Sequence, residues 1–179
     1  MTDIHHNRQM SMTTRLLNAD KELGYDADCV SPPIHQSVTH VAENAAHFAL
    51  LAEEPLNDRF YARHGNPTSS RLAKVIAEME GGEAGMIFSS GMGATTTALM
   101  TFLKGGDHVV LQSNHYMGTM EVASHVLPKY GVEFTLVDQR DADAFEAAVK
   151  PNTRMILLET PVNPVMHVTD LKTVCDMAR

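Results

Sequence analysis

Cysteine is scarce, with only Cys29 and Cys175 among 179 residues. They lie far apart and neither stands at metal-ligand spacing, which gives a disulfide no support and predicts reduced thiols in a cytoplasmic protein. Basic residues are also few. Fourteen Lys and Arg face 22 Asp and Glu, a formal net charge of −8, and that sign argues against tracking a nucleic-acid duplex or binding an anionic membrane. No apolar run approaches the roughly 20 residues that span a bilayer. The first thirty residues lack the basic stretch and apolar block of a signal peptide. The expectation is a cytoplasmic protein with no nucleic-acid partner and no membrane partner. Ten histidines are scattered, His5 and His6 in a polar tail, and none forms an H-E-x-x-H or a Cys/His cluster, so no metal site is expected. Twelve methionines are expected to fill gaps in the core.

What is present describes a folding chain. Hydrophobic residues make up 44% and charged residues 20%, near the globular average, and the length accommodates one domain with a core, or a domain plus an arm, but not two full domains. From Met1 to about Ala27 the sequence is polar around a small cluster at Leu16 and Leu17 and reads as an arm. Ser31-Pro32-Pro33 then forces extended backbone, because each proline fixes its own φ and biases its predecessor away from helix. The division expected is an arm with its extended segment over 1–60 and an α/β domain over 61–179.

After Asn66-Pro67, the apolar residues Leu72, Val75, Ile76 and Met79 recur at helical spacing and predict a helix over 68–80, ended by Gly81-Gly82. Met86-Ile87-Phe88 reads as a strand, Ser89-Ser90-Gly91-Met92-Gly93 as a tight turn, and the stretch through Leu99, Phe102 and Leu103 as a helix stopped by Gly105-Gly106. The alternation continues with a strand at 108–111, a helix over 117–129 and a strand over 132–137. A short helix capped by Asp141 follows, then a strand at 155–158 and a helical stripe through Leu171, Val174, Cys175 and Ala178. Strands alternating with helices predict a parallel sheet, and strands that are apolar throughout predict cover on both faces: a doubly wound α/β domain. The last helix precedes no further strand, so the sheet is expected to be completed by residues or a chain absent from this sequence.

Four constellations bear on chemistry. Ser90-Gly91-Met92-Gly93 stands where a strand feeds a helix, where the unpaired N–H groups of the first turn attract an anion such as phosphate; an ordinary βα turn uses glycine in the same way. No lysine follows the glycines, which excludes a Walker loop. Thr96 occupies the place of the third glycine of a dinucleotide fingerprint, and the strand ending near Gln112 lacks an acidic residue for a ribose. In Tyr61-Ala62-Arg63-His64-Gly65-Asn66-Pro67-Thr68, Arg63 can clamp a phosphate and Tyr61 can add a hydroxyl from the same side of an extended segment, although a loop arginine is commonly a solvated charge. Tyr116, just past the second strand, can stack on a flat cofactor and offer its hydroxyl to a reacting group, or simply pack against the next helix. Asn163, in Glu159-Thr160-Pro161-Val162-Asn163-Pro164, can hold a polar ring substituent, or belong to a plain proline-rich turn.

Taken in order, Tyr61-x-Arg63 with Asn66-Pro67-Thr68, Ser90-Gly91-Met92-Gly93, Tyr116 and Glu159-x-Pro161-x-Asn163-Pro164 resemble the motifs of the Cys/Met-metabolism (transsulfuration) family of pyridoxal-phosphate enzymes. That family includes cystathionine γ-synthases, cystathionine lyases, methionine γ-lyases and homoserine sulfhydrylases. The resemblance runs from about Thr14 to Arg179, roughly the N-terminal half of a usual subunit, and implies pyridoxal 5′-phosphate in a type I fold. It implies that Ser90, Gly91 and Met92 bind the cofactor phosphate within the subunit. Tyr61 and Arg63 would reach the phosphate of a neighbouring subunit, in a homodimer or homotetramer with shared sites. Tyr116 would stack on the ring, meet the amino-acid substrate and act catalytically in proton transfer to the leaving group. Asn163 would bond the ring's phenolic oxygen.

The resemblance also implies a cofactor-bearing lysine and an aspartate opposite the pyridine nitrogen, both further along the chain in relatives. None of Lys21, Lys74, Lys104, Lys129, Lys150 and Lys172 stands in that context. The chain alone is therefore expected not to turn over substrate, and a second half or a complementing C-terminal partner chain is expected to supply them. The chemistry implied is γ- or β-elimination or replacement on a homoserine-, cysteine- or methionine-type amino acid. Methionine γ-lyases have a cysteine two residues after the stacking tyrosine, where Gly118 stands here, which disfavours specialised methionine cleavage. The other reading is a truncated or split non-catalytic subunit that assembles with an intact relative.

Overall fold

A computed structural model of the protein describes residues 10–24, 26, 28–54 and 56–179. His5 and His6 lie outside them. The chain divides into two compact units, Met1–Ile87 and Phe88–Arg179, taken in turn.

The first unit contains helices α1 (Met12–Leu16), α2 (Ala45–Glu53) and α3 (Pro67–Glu80), with a 3₁₀ turn at Lys21–Leu23. Helix α3 begins where expected because Asn66 and Pro67 make a strong start. The Asn66 side chain accepts the Thr68 N–H at 2.9 Å and donates to the His35 carbonyl at 3.0 Å, while Pro67 fills a first-turn position that has no use for an N–H. A capping asparagine of this kind is worth about 1 kcal/mol over alanine. Gly81, at φ 67°, closes the helix in the left-handed conformation that glycine adopts without strain. Arg15 of α1 donates from Nε to Glu78 of α3 at 2.7 Å. Further along, Thr39 and Tyr61 form an antiparallel bridge, and Phe48 packs edge-on against Phe60.

The second unit is a doubly wound α/β layer. Its order is α4 (Gly91–Phe102), β1 (His108–Gln112), α5 (Met117–Glu121), β2 (Glu133–Val137), α6 (Ala142–Ala147), β3 (Thr153–Leu157) and α7 (Leu171–Met177). The strands are parallel and lie in the order β2-β1-β3, so β1 is central and buried at all five positions. Side chains alternate along β1. Val109 and Leu111 pack with Leu99 of α4 and with Ala123 and Leu127; Val110 packs on the other face with Val137, Phe145 of α6 and Val174 of α7. His108 points to this second face and bridges the sheet, Nδ1 to Thr153 Oγ1 and Nε2 to Thr135 Oγ1, both at 2.8 Å. A register shift in β3 between the partners of His108 and Val109 turns Thr153 toward it.

Three expectations are corrected. Met86-Ile87-Phe88 is not a strand: no ladder partner pairs with it among the described residues, and an apolar run becomes a strand only beside another. The helix expected over 117–129 is α-helical only to Glu121, then π over Val122–Val126 and 3₁₀ over Leu127–Tyr130. Pro128 has no N–H to continue the α ladder. Methionine packs at the edge of the core without filling its centre: Met155 and Met177, partly buried, lie against its two clusters. No methionine among the described residues is buried, and Met12, Met79, Met86, Met100, Met117 and Met166 are exposed. Among the described residues no group of three or more His, Cys, Asp or Glu is placed to hold a metal ion, and no helix is long and apolar enough to cross a membrane.

Candidate functional site

Within the second unit, three segments converge at the carboxyl ends of β1 and β3, the edge of a parallel sheet where ligands collect. They are the start of α4, the turn after β1 and the residues ending β3. Together they line a cleft of about 520 Å³ through Ser90, Gly91, Met92, Thr95, His115, Tyr116, Thr119 and Leu157–Glu159. That volume suits a small organic molecule.

The floor at Ser90 follows from helix geometry. Ser90 has extended backbone, and its Oγ accepts the Gly93 N–H at 3.0 Å, while its carbonyl accepts the Ala94 N–H at 3.1 Å. The N–H groups of Gly91 and Met92 have no acceptor within the helix, and they carry the positive end of a twelve-residue helix dipole. Ser90 accepts through its oxygen and keeps its own O–H free to donate. Gly91 is not required by its backbone, since its φ lies outside the left-handed range, nor by crowding, since a Cβ there would meet nothing within 4 Å. What this glycine leaves is space in the cleft beside two donors that the helix itself does not use.

The opposite wall is built on Gln112 and Glu159. Gln112 ends β1, and Glu159 lies two residues past the end of β3. The Gln112 side-chain amide donates to the carbonyls of Asn114 at 3.0 Å and Glu159 at 2.9 Å, and its oxygen accepts the Glu159 N–H at 2.8 Å, which joins the ends of β1 and β3. The Glu159 carboxylate in turn accepts the Tyr116 N–H at Oε2, 2.7 Å, and the Asn163 N–H at Oε1, 3.4 Å. His115, buried beside them, accepts the Gln112 N–H at Nε2, 3.3 Å. The ring proton then belongs on Nδ1, facing Glu159 Oε2 at 3.4 Å. Burial pushes this imidazole below the ordinary histidine value, and the bond to Glu159 opposes that shift, so the ring is neutral at pH 7.

The expected site residues fall into three groups. Ser90, Gly91, Met92 and Tyr116 line the one cleft. Tyr116 is 46% exposed, leaving ring and hydroxyl accessible. Asn163 has an exposed side chain and does not line the cleft; its backbone joins the wall through Glu159. Tyr61 and Arg63 belong to the first unit, where Tyr61 is half-buried and the exposed Arg63 holds its guanidinium 4.8 Å from the centre of the Tyr61 ring. Sequence reasoning gave no role to Gln112, His115 or Glu159. Their signal was a polar side chain at, or within three residues after, the end of a strand.

A family model described as Cys/Met metabolism PLP-dependent enzyme matches residues 13–179. The L-methionine gamma-lyase of Porphyromonas gingivalis is 41% identical over 150 residues, 84% of this chain and 38% of that protein. The cystathionine gamma-lyase of Bacillus subtilis is also 41% identical over 150 residues, 84% of this chain and 37% of its own length. A crystal structure described as a putative O-acetylhomoserine (thiol)-lyase from Campylobacter jejuni, with N′-pyridoxyl-lysine-5′-monophosphate, superposes with a TM-score of 0.82 at 31% identity, covering 95% of this chain and 42% of that one. The chain spans about two fifths of the length of these relatives. On both sequence and fold it belongs to the Cys/Met-metabolism family of PLP-dependent enzymes.

Proposed function

We propose that this chain forms the phosphate-gripping part of a PLP-dependent enzyme that acts on a homoserine-, cysteine- or methionine-type amino acid by elimination or replacement at Cγ or Cβ. The observation that carries the reading is the space at Gly91, open toward the cleft and flanked by the unpaired N–H groups of Gly91 and Met92. A phosphate monoester fits such a place, because it needs several donors and a positive local potential. Ser90, Gly91 and Met92 hold that phosphate, Tyr116 covers the ring, and Asn163 bonds the ring oxygen. Tyr61 and Arg63 serve the phosphate of a neighbouring copy in a homodimer or homotetramer. When bound, the cofactor supplies an electron sink for a carbanion at the substrate's Cα. Tyr116 positions its phenol to hold the proton that the leaving group takes up.

The arm over 1–60, the domain over 61–179 and the cytoplasmic location belong to the same proposal. Relatives named for methionine and for cystathionine cleavage are equally identical, which supports a sulfur amino acid as substrate without ranking the two. Gly118 in place of cysteine weighs against dedicated methionine cleavage.

Titrating the chain with pyridoxal 5′-phosphate, followed by absorbance and by competition with inorganic phosphate, tests the grip. Saturable binding that phosphate displaces is expected. Gly91→Val, whose side chain fills the open space without meeting protein atoms at Cβ, is expected to weaken both ligands by about tenfold, equivalent to about 1.4 kcal/mol. Absence of binding, or binding indifferent to the valine, contradicts the proposal.

A further inference from the structure

We infer that Glu159 is a positioning residue: one carboxylate fixes, through backbone amides, both residues assigned above to the cofactor ring, Tyr116 and Asn163, and His115 holds that carboxylate from behind. The inference rests on the cofactor reading above, since it assigns Glu159 a task within that site. Its observations are independent of the phosphate grip. Tyr116 starts α5 with no side-chain cap of its own, so its placement depends on what its N–H finds. It finds Glu159 Oε2 at 2.7 Å, across 43 residues of sequence. The second oxygen of the same carboxylate takes the Asn163 N–H at 3.4 Å. A carboxylate accepts at both oxygens and donates at neither, so no neutral side chain of the same shape satisfies both amides.

The support behind Glu159 is as specific. Its backbone N–H and carbonyl are both bound by the Gln112 side chain, so the residue that aims the carboxylate is anchored to the central strand. The side chain of His115 is buried, and with Nε2 occupied by the Gln112 N–H it has only Nδ1–H to present to Glu159. The neutral ring therefore contributes a donor without neutralising the carboxylate. Charged hydrogen bonds to backbone amides are about twice as strong as neutral ones. The arrangement turns that strength into a fixed separation between the turn after β1 and the turn after β3. Between those turns a flat ring would be clasped. Glu159 touches the ring at no point in this account; it acts through two other residues.

Two ligands separate this role from a general effect on folding. Inorganic phosphate needs only the start of α4, whereas pyridoxal 5′-phosphate also uses Tyr116 and Asn163. Glu159→Gln preserves shape but presents an NH₂ to one of the two amides, and Glu159→Ala removes both acceptors. In the full chain, both variants are expected to bind inorganic phosphate within about twofold of the wild type and pyridoxal 5′-phosphate about tenfold or more weakly, in line with loss of a charge-assisted bond. The Tyr116 amide resonance is expected to move upfield in both. Unchanged pyridoxal 5′-phosphate affinity in Glu159→Gln overturns the positioning role while leaving the cofactor reading intact. An equal loss of both ligands overturns it as well, because Glu159 would then act through the fold. Failure of the wild type to bind either ligand overturns the cofactor reading itself and this inference with it.

Discussion

At the residue scale, the site depends on what small side chains leave out. Gly118 sits in the first turn of α5, where alanine would ordinarily favour the helix by up to about 1 kcal/mol. Here a Cβ at position 118 would lie 2.9 Å from both the Met92 Sδ and the Tyr116 Cε1. Neither obstacle is backbone. Met92 is an unbranched chain end and the Tyr116 ring is half in solvent, so both can swing aside at little cost. Gly118→Ala is therefore expected to leave the thermal midpoint near that of the wild type while displacing the Tyr116 ring and weakening pyridoxal 5′-phosphate several-fold. Titration with the cofactor beside a melting curve checks this; unchanged affinity would mean that Tyr116 does not face the cofactor. The sequence shows Gly91 and Tyr116 readily, because each stands in a short motif at the start of a helix. It hides Glu159 as an organiser, since the contact that matters joins residues 43 apart and exists only after β1 and β3 lie side by side.

At the scale of elements, apolar periodicity located α3, α4, α7 and the three strands to within a few residues; in the second unit Leu99 of α4 and Val174 of α7 pack on opposite faces of the sheet. It failed where structure is not local. Met86-Ile87-Phe88 has strand composition without a strand partner among the described residues, and the segment after α5 has helical spacing with a proline that interrupts the ladder. His108 links all three strands. Burial, and after it the Lys150 charge, push its imidazole below the ordinary histidine value, with Glu133 opposing. A histidine whose folded value is depressed keeps its proton off in the native state, while the unfolded chain takes one up near pH 6.5. Its contribution is thus complete above about pH 6.5 and is lost as pH falls through the folded value. His115, shifted in the same direction, adds to the effect. Urea unfolding at pH 7.5 and pH 5.5 is expected to show lower stability at the acid end, with the difference reduced in His108→Asn. An unaltered difference in that variant would remove His108 from the cause.

At the scale of the molecule, a central strand buried along its length carries loops whose polar residues face one cleft, and the rest of the second unit serves to hold them there. The acidic balance and sparse cysteine of the chain restrict its partners without naming its chemistry. The parallel α/β order was legible because short, largely apolar strands alternate with helical segments. The convergence of the start of α4 with the ends of β1 and β3 was legible only as a rule about such sheets. The central claim is that the first turn of α4 grips a phosphate. Amide NMR of the chain during addition of inorganic phosphate, and then of pyridoxal 5′-phosphate, tests it most directly. The account predicts that both ligands shift the Gly91 and Met92 amides first and furthest, with Tyr116 responding to the second ligand alone. Shifts centred elsewhere, with Gly91 and Met92 unmoved, would contradict it.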